Sequence, residues 1–215
     1  MGYMDGFYRE VERVGVVPVV VLDRVEDALP VADVLVKGGL PSAEVTFRTA
    51  CAADAIHEMS EKCPDLLVGA GTVLNLEQAR RAVDAGARYI VSPGYNMQVV
   101  DWCLEHEVPV LPAGVTPTEV TALVNAGLEV TKFFPAAQYG GLATIKALAS
   151  VFVGHRFMPT GGVSASNLRE YLECPAILAC GGTWMVKPDL IRAGEFDRML
   201  ELTSEAAALV REIRG

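Results

Sequence analysis

The sequence predicts an α/β protein of the (β/α)8 or TIM-barrel class, a single domain over residues 1–215 with an extra helix at its N-terminus. Three observations carry this reading. Eight short apolar runs, rich in β-branched residues, recur at intervals of roughly 20 to 27 residues. Amphipathic stretches of helical period lie between them. A length of 215 residues is one that a barrel fills alone. A doubly wound sheet needs only about five or six strands, and no linker, low-complexity tract or charge block divides the chain.

Taken in order, residues 4–14 read as the extra helix, lying across the barrel bottom. The first run, 16–22, is nearly all apolar, as a parallel strand covered on both faces must be. A helical stretch at 25–36 ends at Gly38-Gly39, and the second run is 43–47. Helix 50–63 leads to the third run, 66–70. Helix 76–85, capped by Asn75 and ended by Gly86, leads to the fourth, 89–92. Helix 97–106 precedes the fifth run, 109–112, and helix 117–126 follows it, with Pro117 in its first turn behind Thr116 and Gly127 at its end. The remaining runs are 130–134, 156–159 and 177–180, with Ser166 as the N-cap of the helix before the last. Residues 195–214 repeat apolar side chains at helical spacing and read as the closing helix.

Composition narrows the class of function. With 51% hydrophobic residues and a mean hydropathy of +0.31, the chain holds enough apolar material for a large core. Charge-free stretches such as 133–145 fall well short of the ~20 apolar residues that cross a bilayer, and residues 1–12 lack the apolar run of a secretory leader. A net charge of −9 opposes capture by nucleic acid or an anionic membrane surface. The expected partners are small molecules. The five cysteines (Cys51, Cys63, Cys103, Cys174, Cys180) contain no CxxC pair and lie apart from the three histidines (His57, His106, His155). That predicts neither a metal site nor a disulfide framework, and free thiols suit a reducing cytoplasm. No cofactor is called for.

Barrel sites form at the C-terminal ends of strands, so polar residues there carry the functional information. Lys132 is one of only five lysines, and it alone interrupts an apolar run, Val130-Thr131-Lys132-Phe133-Phe134. A desolvated lysine becomes a neutral amine able to attack a carbonyl; a structural ion pair, or snorkelling from the barrel mouth, is the plainer alternative. Glu44 sits in the second run with Thr46 on the same face, placed to pair with an inward lysine or to shuttle protons. Arg48 follows at the strand end, where its planar guanidinium suits a carboxylate. Read singly, each is also a solvated strand-end charge. After the seventh run comes Thr160-Gly161-Gly162, and after the eighth Gly181-Gly182-Thr183. Glycine pairs mark ordinary turns too, but in these two loops, with helix N-termini behind them, they predict a phosphate site. Gly69-Ala70-Gly71-Thr72 and Ser92-Pro93-Gly94 bring backbone and one hydroxyl to the mouth, with Asp23 as an extra candidate. The histidines read as structural or solvated.

In order and at matching intervals, the segments VVPVVVL, AEVTFRT, VGAGTVLN, VSPG, TKFFPA, MPTGG and ACGGTW resemble the 2-keto-3-deoxy-6-phosphogluconate (KDPG) / 4-hydroxy-2-oxoglutarate (KHG) aldolase family of class I, Schiff-base lyases. The resemblance implies a cytoplasmic carbon–carbon lyase that needs no cofactor or metal, acts on a phosphorylated 2-keto acid and assembles as a homotrimer. It implies that Lys132 forms the imine and Glu44 is the general acid/base. Arg48 and Thr72 would bind the pyruvate carboxylate, Pro93 and Phe134 shape the pyruvyl pocket, and Gly161, Gly162 and Thr183 hold the phosphate, with Thr160 and Gly182 as further substrate-binding residues. Threonine at 183 where the family has serine, Ala137-Gln138 after KFFPA, Pro112-Ala113-Gly114 after the fifth run and Tyr95-Asn96 after SPG depart from the pattern and bear on substrate range. The competing reading is a phosphate-binding barrel isomerase or epimerase without imine chemistry, in which Lys132 acts only through its charge. A catalytically silent barrel used as a metabolite sensor would require the loss of one of the chemical residues, and all are present.

Overall fold

Apolar β-branched runs and amphipathic stretches alternate along the chain, and in a computed structural model they become alternating strands and helices over the described residues 2–215. The chain opens with α1 (Tyr3–Val14), β1 (Val16–Val20), α2 (Ala28–Lys37), β2 (Ser42–Thr46), α3 (Ala52–Lys62) and β3 (Leu67–Gly71). It continues through α4 (Leu76–Asp84), β4 (Ile90–Ser92), α5 (Met97–Glu105), β5 (Val110–Pro112), α6 (Pro117–Asn125) and β6 (Val130–Phe133). The last part holds α7 (Gly141–Val151), β7 (Arg156–Pro159), α8 (Leu168–Leu172), β8 (Cys180–Gly182), α9 (Pro188–Ala193) and α10 (Phe196–Arg214).

All strand pairs are parallel. Six strands form one sheet in the order β5-β4-β3-β2-β1-β8, and β6 pairs with β7. Single bridges, Ala113 with Lys132 on one side and Thr160 with Gly181 on the other, join the two sheets, so the whole curls into a barrel-like arrangement with helices outside. Side chains alternate across each strand and sort into two cores. The outer core takes Val20, Val45, Ala70, Ile90 and Phe133 between strands and helices. The inner core takes Val17, Leu67, Tyr89, Val130 and Met158 together with Phe7, Tyr8 and Val11 of α1. The Phe7 and Tyr89 rings lie 5.1 Å apart, so α1 fills the end of the strands away from their C-termini. The C-terminal ends stay free to build a site.

Local signals explain most boundaries. Asn75 Oδ1 accepts from Gln78 N, capping α4 as expected, and Thr116 and Glu119 form a capping box ahead of Pro117. Gly39, Gly86 and Gly127 take φ of 86°, 100° and 84° where helices end. Three expectations need correction. The helix expected at 25–36 begins as a 3-10 turn (Val25–Asp27) before α2. Ser166 is not an N-cap: Asn167 precedes α8, and its Oδ1 accepts from Ser164 N to close a turn. The eighth strand is Cys180–Gly182 rather than 177–180, with Ile177 contributing only an isolated bridge. Its glycines therefore lie in the strand itself, a placement that the apolar run, ending at Cys180, does not show.

Candidate active site

Strand alternation turns Ser42, Glu44 and Thr46 of β2 inward and Ala43 and Val45 toward the helices. On β6 it turns Lys132 inward and Phe133 outward. The two charged residues, 88 positions apart in sequence, meet inside the barrel. Lys132 Nζ donates to Glu44 Oε1 at 2.9 Å and Oε2 at 3.3 Å. Their side chains are 6% and 1% exposed, and among the described residues this is the one ion pair with both partners buried. The Phe134 ring centre lies 5.5 Å from Nζ, adding a cation–π contact on the mouth side. An ammonium gives up water here only because a carboxylate accepts from it with both oxygens.

Room for that carboxylate comes from β3. A Cβ on Gly71 would lie 2.2 Å from Glu44 Oε1, and one on Gly69 would lie 2.3 Å from the Tyr89 ring. Gly69-Ala70-Gly71 is thus two inward vacancies around one outward methyl: one vacancy takes the Tyr89 ring, the other the Glu44 side chain. By sequence these glycines suit backbone approach at the mouth; the structure gives them interior space instead. Tyr89 OH and Ser42 Oγ lie 3.3 Å apart beneath the ion pair, and burial holds the phenol far above its usual range.

Arg48 and Thr72 stand together at the mouth. Arg48 Nε donates to Thr72 Oγ1 at 3.1 Å, and Nη1 and Nη2 have no protein partner among the described residues. The open end of the guanidinium fork therefore faces solvent, ready for a carboxylate. Thr72 has φ of 57°, a left-handed conformation that is strained for a β-branched residue and sets its hydroxyl toward Arg48. Pro93 lies half-buried just beyond β4, at the same end of the strands.

On the far side, Thr160 is buried over Gly181, where an added Cβ would meet its Oγ1 at 2.3 Å. Ala136 N donates to Thr160 O and Ala137 N to Gly161 O, tying this loop to the segment that follows Lys132. Gly161 and Gly162 have φ of 92° and 84°. Their amides, and that of Thr183, donate to no protein acceptor among the described residues. Successive free amides in a positive-φ turn form a concavity suited to an anion. Of the helices behind the two glycine turns, α8 begins at Leu168 and α9 at Pro188, and both are short. Gly182 is buried in β8 against the Trp184 ring, and Thr183 is exposed just past the strand.

The other candidates fall outside the site. Asp23 pairs with Arg192 on the surface at 2.9 Å. His106 stacks on Trp102, and His155 is buried against Phe157 with Nε2 2.7 Å from Thr131 Oγ1. Burial lowers the His155 pKa to about 4, opposed by a hydrogen bond to the Leu128 backbone. Burial pushes the Cys103 thiol up to about 12. A cleft of about 670 Å³ lies at the opposite end of the molecule, between α1 and α10, and holds none of the site residues.

Comparisons with known proteins point the same way. The family described as KDPG and KHG aldolase matches residues 8–202. The 2-dehydro-3-deoxy-phosphogluconate aldolase of Treponema pallidum is 48% identical over 207 residues, covering 96% of this chain and 99% of that one. The KHG/KDPG aldolase of Escherichia coli is 42% identical over 191 residues, 89% of this chain and 90% of the other. Among solved structures, the KDPG aldolase of Legionella pneumophila, with pyruvate captured as a covalent carbinolamine intermediate, superposes with a TM-score of 0.89 at 36% identity, covering 92% of this chain and 96% of that one.

Proposed function

The chain belongs to the KDPG and KHG aldolase family, and on that premise we propose that it cleaves 2-keto-3-deoxy-6-phosphogluconate to pyruvate and glyceraldehyde 3-phosphate through an imine on Lys132, with 4-hydroxy-2-oxoglutarate as a second substrate giving pyruvate and glyoxylate. The observation that carries this is the buried contact of Lys132 Nζ with Glu44 at 2.9 Å. It supplies a nucleophilic nitrogen and a proton acceptor inside one closed space.

Lys132 first passes one ammonium proton to Glu44; the free amine attacks the C2 carbonyl carbon, and Glu44 returns that proton to the oxygen, making it a hydroxyl. Glu44 then takes a proton from the nitrogen and delivers it to the hydroxyl, which leaves as water, giving the protonated imine. Removal of the C4 hydroxyl proton then breaks the C3–C4 bond. The bonding pair moves through C3 to the imine nitrogen, leaving an enamine and releasing the aldehyde. Protonation at C3 and hydrolysis release pyruvate and restore the amine. Arg48 and Thr72 bind the C1 carboxylate, while Pro93 and Phe134 bound the pyruvyl pocket. Thr160, Gly161, Gly162, Gly182 and Thr183 hold the phosphate, a role supported by the free amides of three of them.

The same reading takes the chain as one (β/α)8 barrel domain, with α1 as its extra helix. It also takes the protein as a homotrimer, for which light scattering is to give about three times the chain mass of 23.0 kDa. A cytoplasmic location rests on the free cysteines; no helix of the described residues is long and apolar enough to cross a membrane. The deciding experiment is intact mass after pyruvate and borohydride, with peptide mapping. A reduced pyruvyl group on Lys132 is the expected result. An unmodified chain under saturating pyruvate overturns the imine and leaves the isomerase reading.

A further inference from the structure

The mechanism above leaves one inward polar group of β2 without a task. Thr46 is completely buried, and its Oγ1 is sealed from solvent with no hydrogen-bond partner. A buried hydroxyl is nearly always paired, so an orphan one beside a reactive ion pair calls for an account. It shares the inner face of β2 with Glu44, two residues closer to the mouth. Its cross-strand partner is Gly71, the residue over which Glu44 Oε1 lies. The Glu44 carboxylate therefore leans along its own strand toward the rung that Thr46 occupies.

In the resting state both Glu44 oxygens accept from one Nζ. A protonated imine retains a single N–H where the ammonium had three, so at least one Glu44 oxygen loses its donor once the imine forms. We infer that Thr46 is a positioning residue: its hydroxyl, idle in the resting enzyme, becomes the replacement donor to Glu44 in the imine state and aims the other carboxylate oxygen at the proton being moved. This rests on the imine reading of Lys132. Ser42, the third inward polar group of the strand, is already engaged with Tyr89 and the Leu67 carbonyl. Arg48, two residues past the strand, engages Thr72.

The test uses the full chain and compares Thr46→Val with Thr46→Ser. Three quantities are read: borohydride-trapped pyruvate adduct, exchange of pyruvate methyl protons in D2O, and kcat and KM for KDPG cleavage. Thr46→Val is expected to keep the adduct and an unchanged or higher melting temperature, since it removes an unpaired hydroxyl. Methyl exchange and kcat are expected to fall about tenfold, part of the ~10²–10⁴ that a well-placed acid–base group supplies. KM is to stay within about twofold, because only proton transfer is impaired. Thr46→Ser is to restore both rates. Exchange and kcat at the unaltered level in Thr46→Val overturn the inference, as does Thr46→Ser being as slow as Thr46→Val, which assigns the effect to shape. If Thr46→Val does not fold, Thr46→Ala carries the same comparison. Absence of an adduct on the unaltered chain overturns the imine reading itself, and this inference with it. An adduct present with unaffected exchange in Thr46→Val overturns only the role of Thr46.

Discussion

At the scale of single residues, the Lys132–Glu44 pair balances a large desolvation penalty against contact at 2.9 Å. The balance holds only while both partners are present. Lys132→Met leaves a buried carboxylate with no cation, and Glu44→Leu leaves a buried ammonium; each is expected to lower stability by about 3–5 kcal/mol. The double variant is expected to return close to the starting stability in urea titrations, while all three are inactive. Equal additive losses in the double variant would mean the pair is not coupled. Gly71→Ala puts a methyl where Glu44 Oε1 sits, and Gly69→Ala puts one into the Tyr89 ring. Both are expected to destabilise by about 1–3 kcal/mol. Only Gly71→Ala displaces Glu44, the proposed acid/base, so its kcat is expected to fall far more than that of Gly69→Ala. These glycines show where sequence reading stops: GAGT marks a place where glycine is needed, but not whether the missing side chain makes way for backbone, substrate or a carboxylate from the next strand.

At the scale of elements, the β6–β7 pair is joined to the other strands by single bridges rather than long ladders. His155 helps hold it, with Nε2 close to Thr131 Oγ1 of β6 and its ring edge-on to Phe157 of β7. Burial depresses its pKa from 6.5 to about 4. Between those values the unfolded chain binds a proton that the folded one does not, so stability is intact above pH ~6.5 and falls as pH drops toward 4. That shift is worth about 3 kcal/mol at its acid limit. His155→Gln is therefore expected to flatten the decline in melting temperature between pH 6.5 and 4.5; an unchanged slope would remove His155 from the acid response. In sequence this histidine precedes a strand and reads as structural or solvated; its burial makes it structural. The strand and helix periods were equally legible, because they follow from backbone geometry within a few residues. The eighth strand lies beyond its apolar run because Gly181 and Gly182 have no side chains to show strand periodicity; pairing with β1 at Val17 and Pro18 places them there.

At the scale of the whole molecule, the two ends of the curled sheet carry different groups. Phe7, Tyr8 and Val11 of α1 close one end against Tyr89 and Val130, and Arg48, Thr72 and the glycine turn at 161–162 stand at the other. Phe7→Ala is expected to lower stability by about 3–5 kcal/mol through the cavity it leaves, with kcat and KM unchanged at temperatures where the protein stays folded. A loss of kcat without loss of stability would show that the two ends communicate. Local period and composition are enough to set the alternation of strands and helices, the inward phase of Glu44 and Thr46, the interruption of an apolar strand by Lys132, and the glycine-rich strand ends. Packing alone brings residues 44 and 132 into contact, gives the Glu44 carboxylate its space over Gly71, and, among the described residues, leaves the amides of Gly161, Gly162 and Thr183 without a protein acceptor and the Thr46 hydroxyl unpaired on the face that Glu44 shares. Those facts depend on strand register and on how the parallel strands curl, which emerge only when every strand has packed against its neighbours.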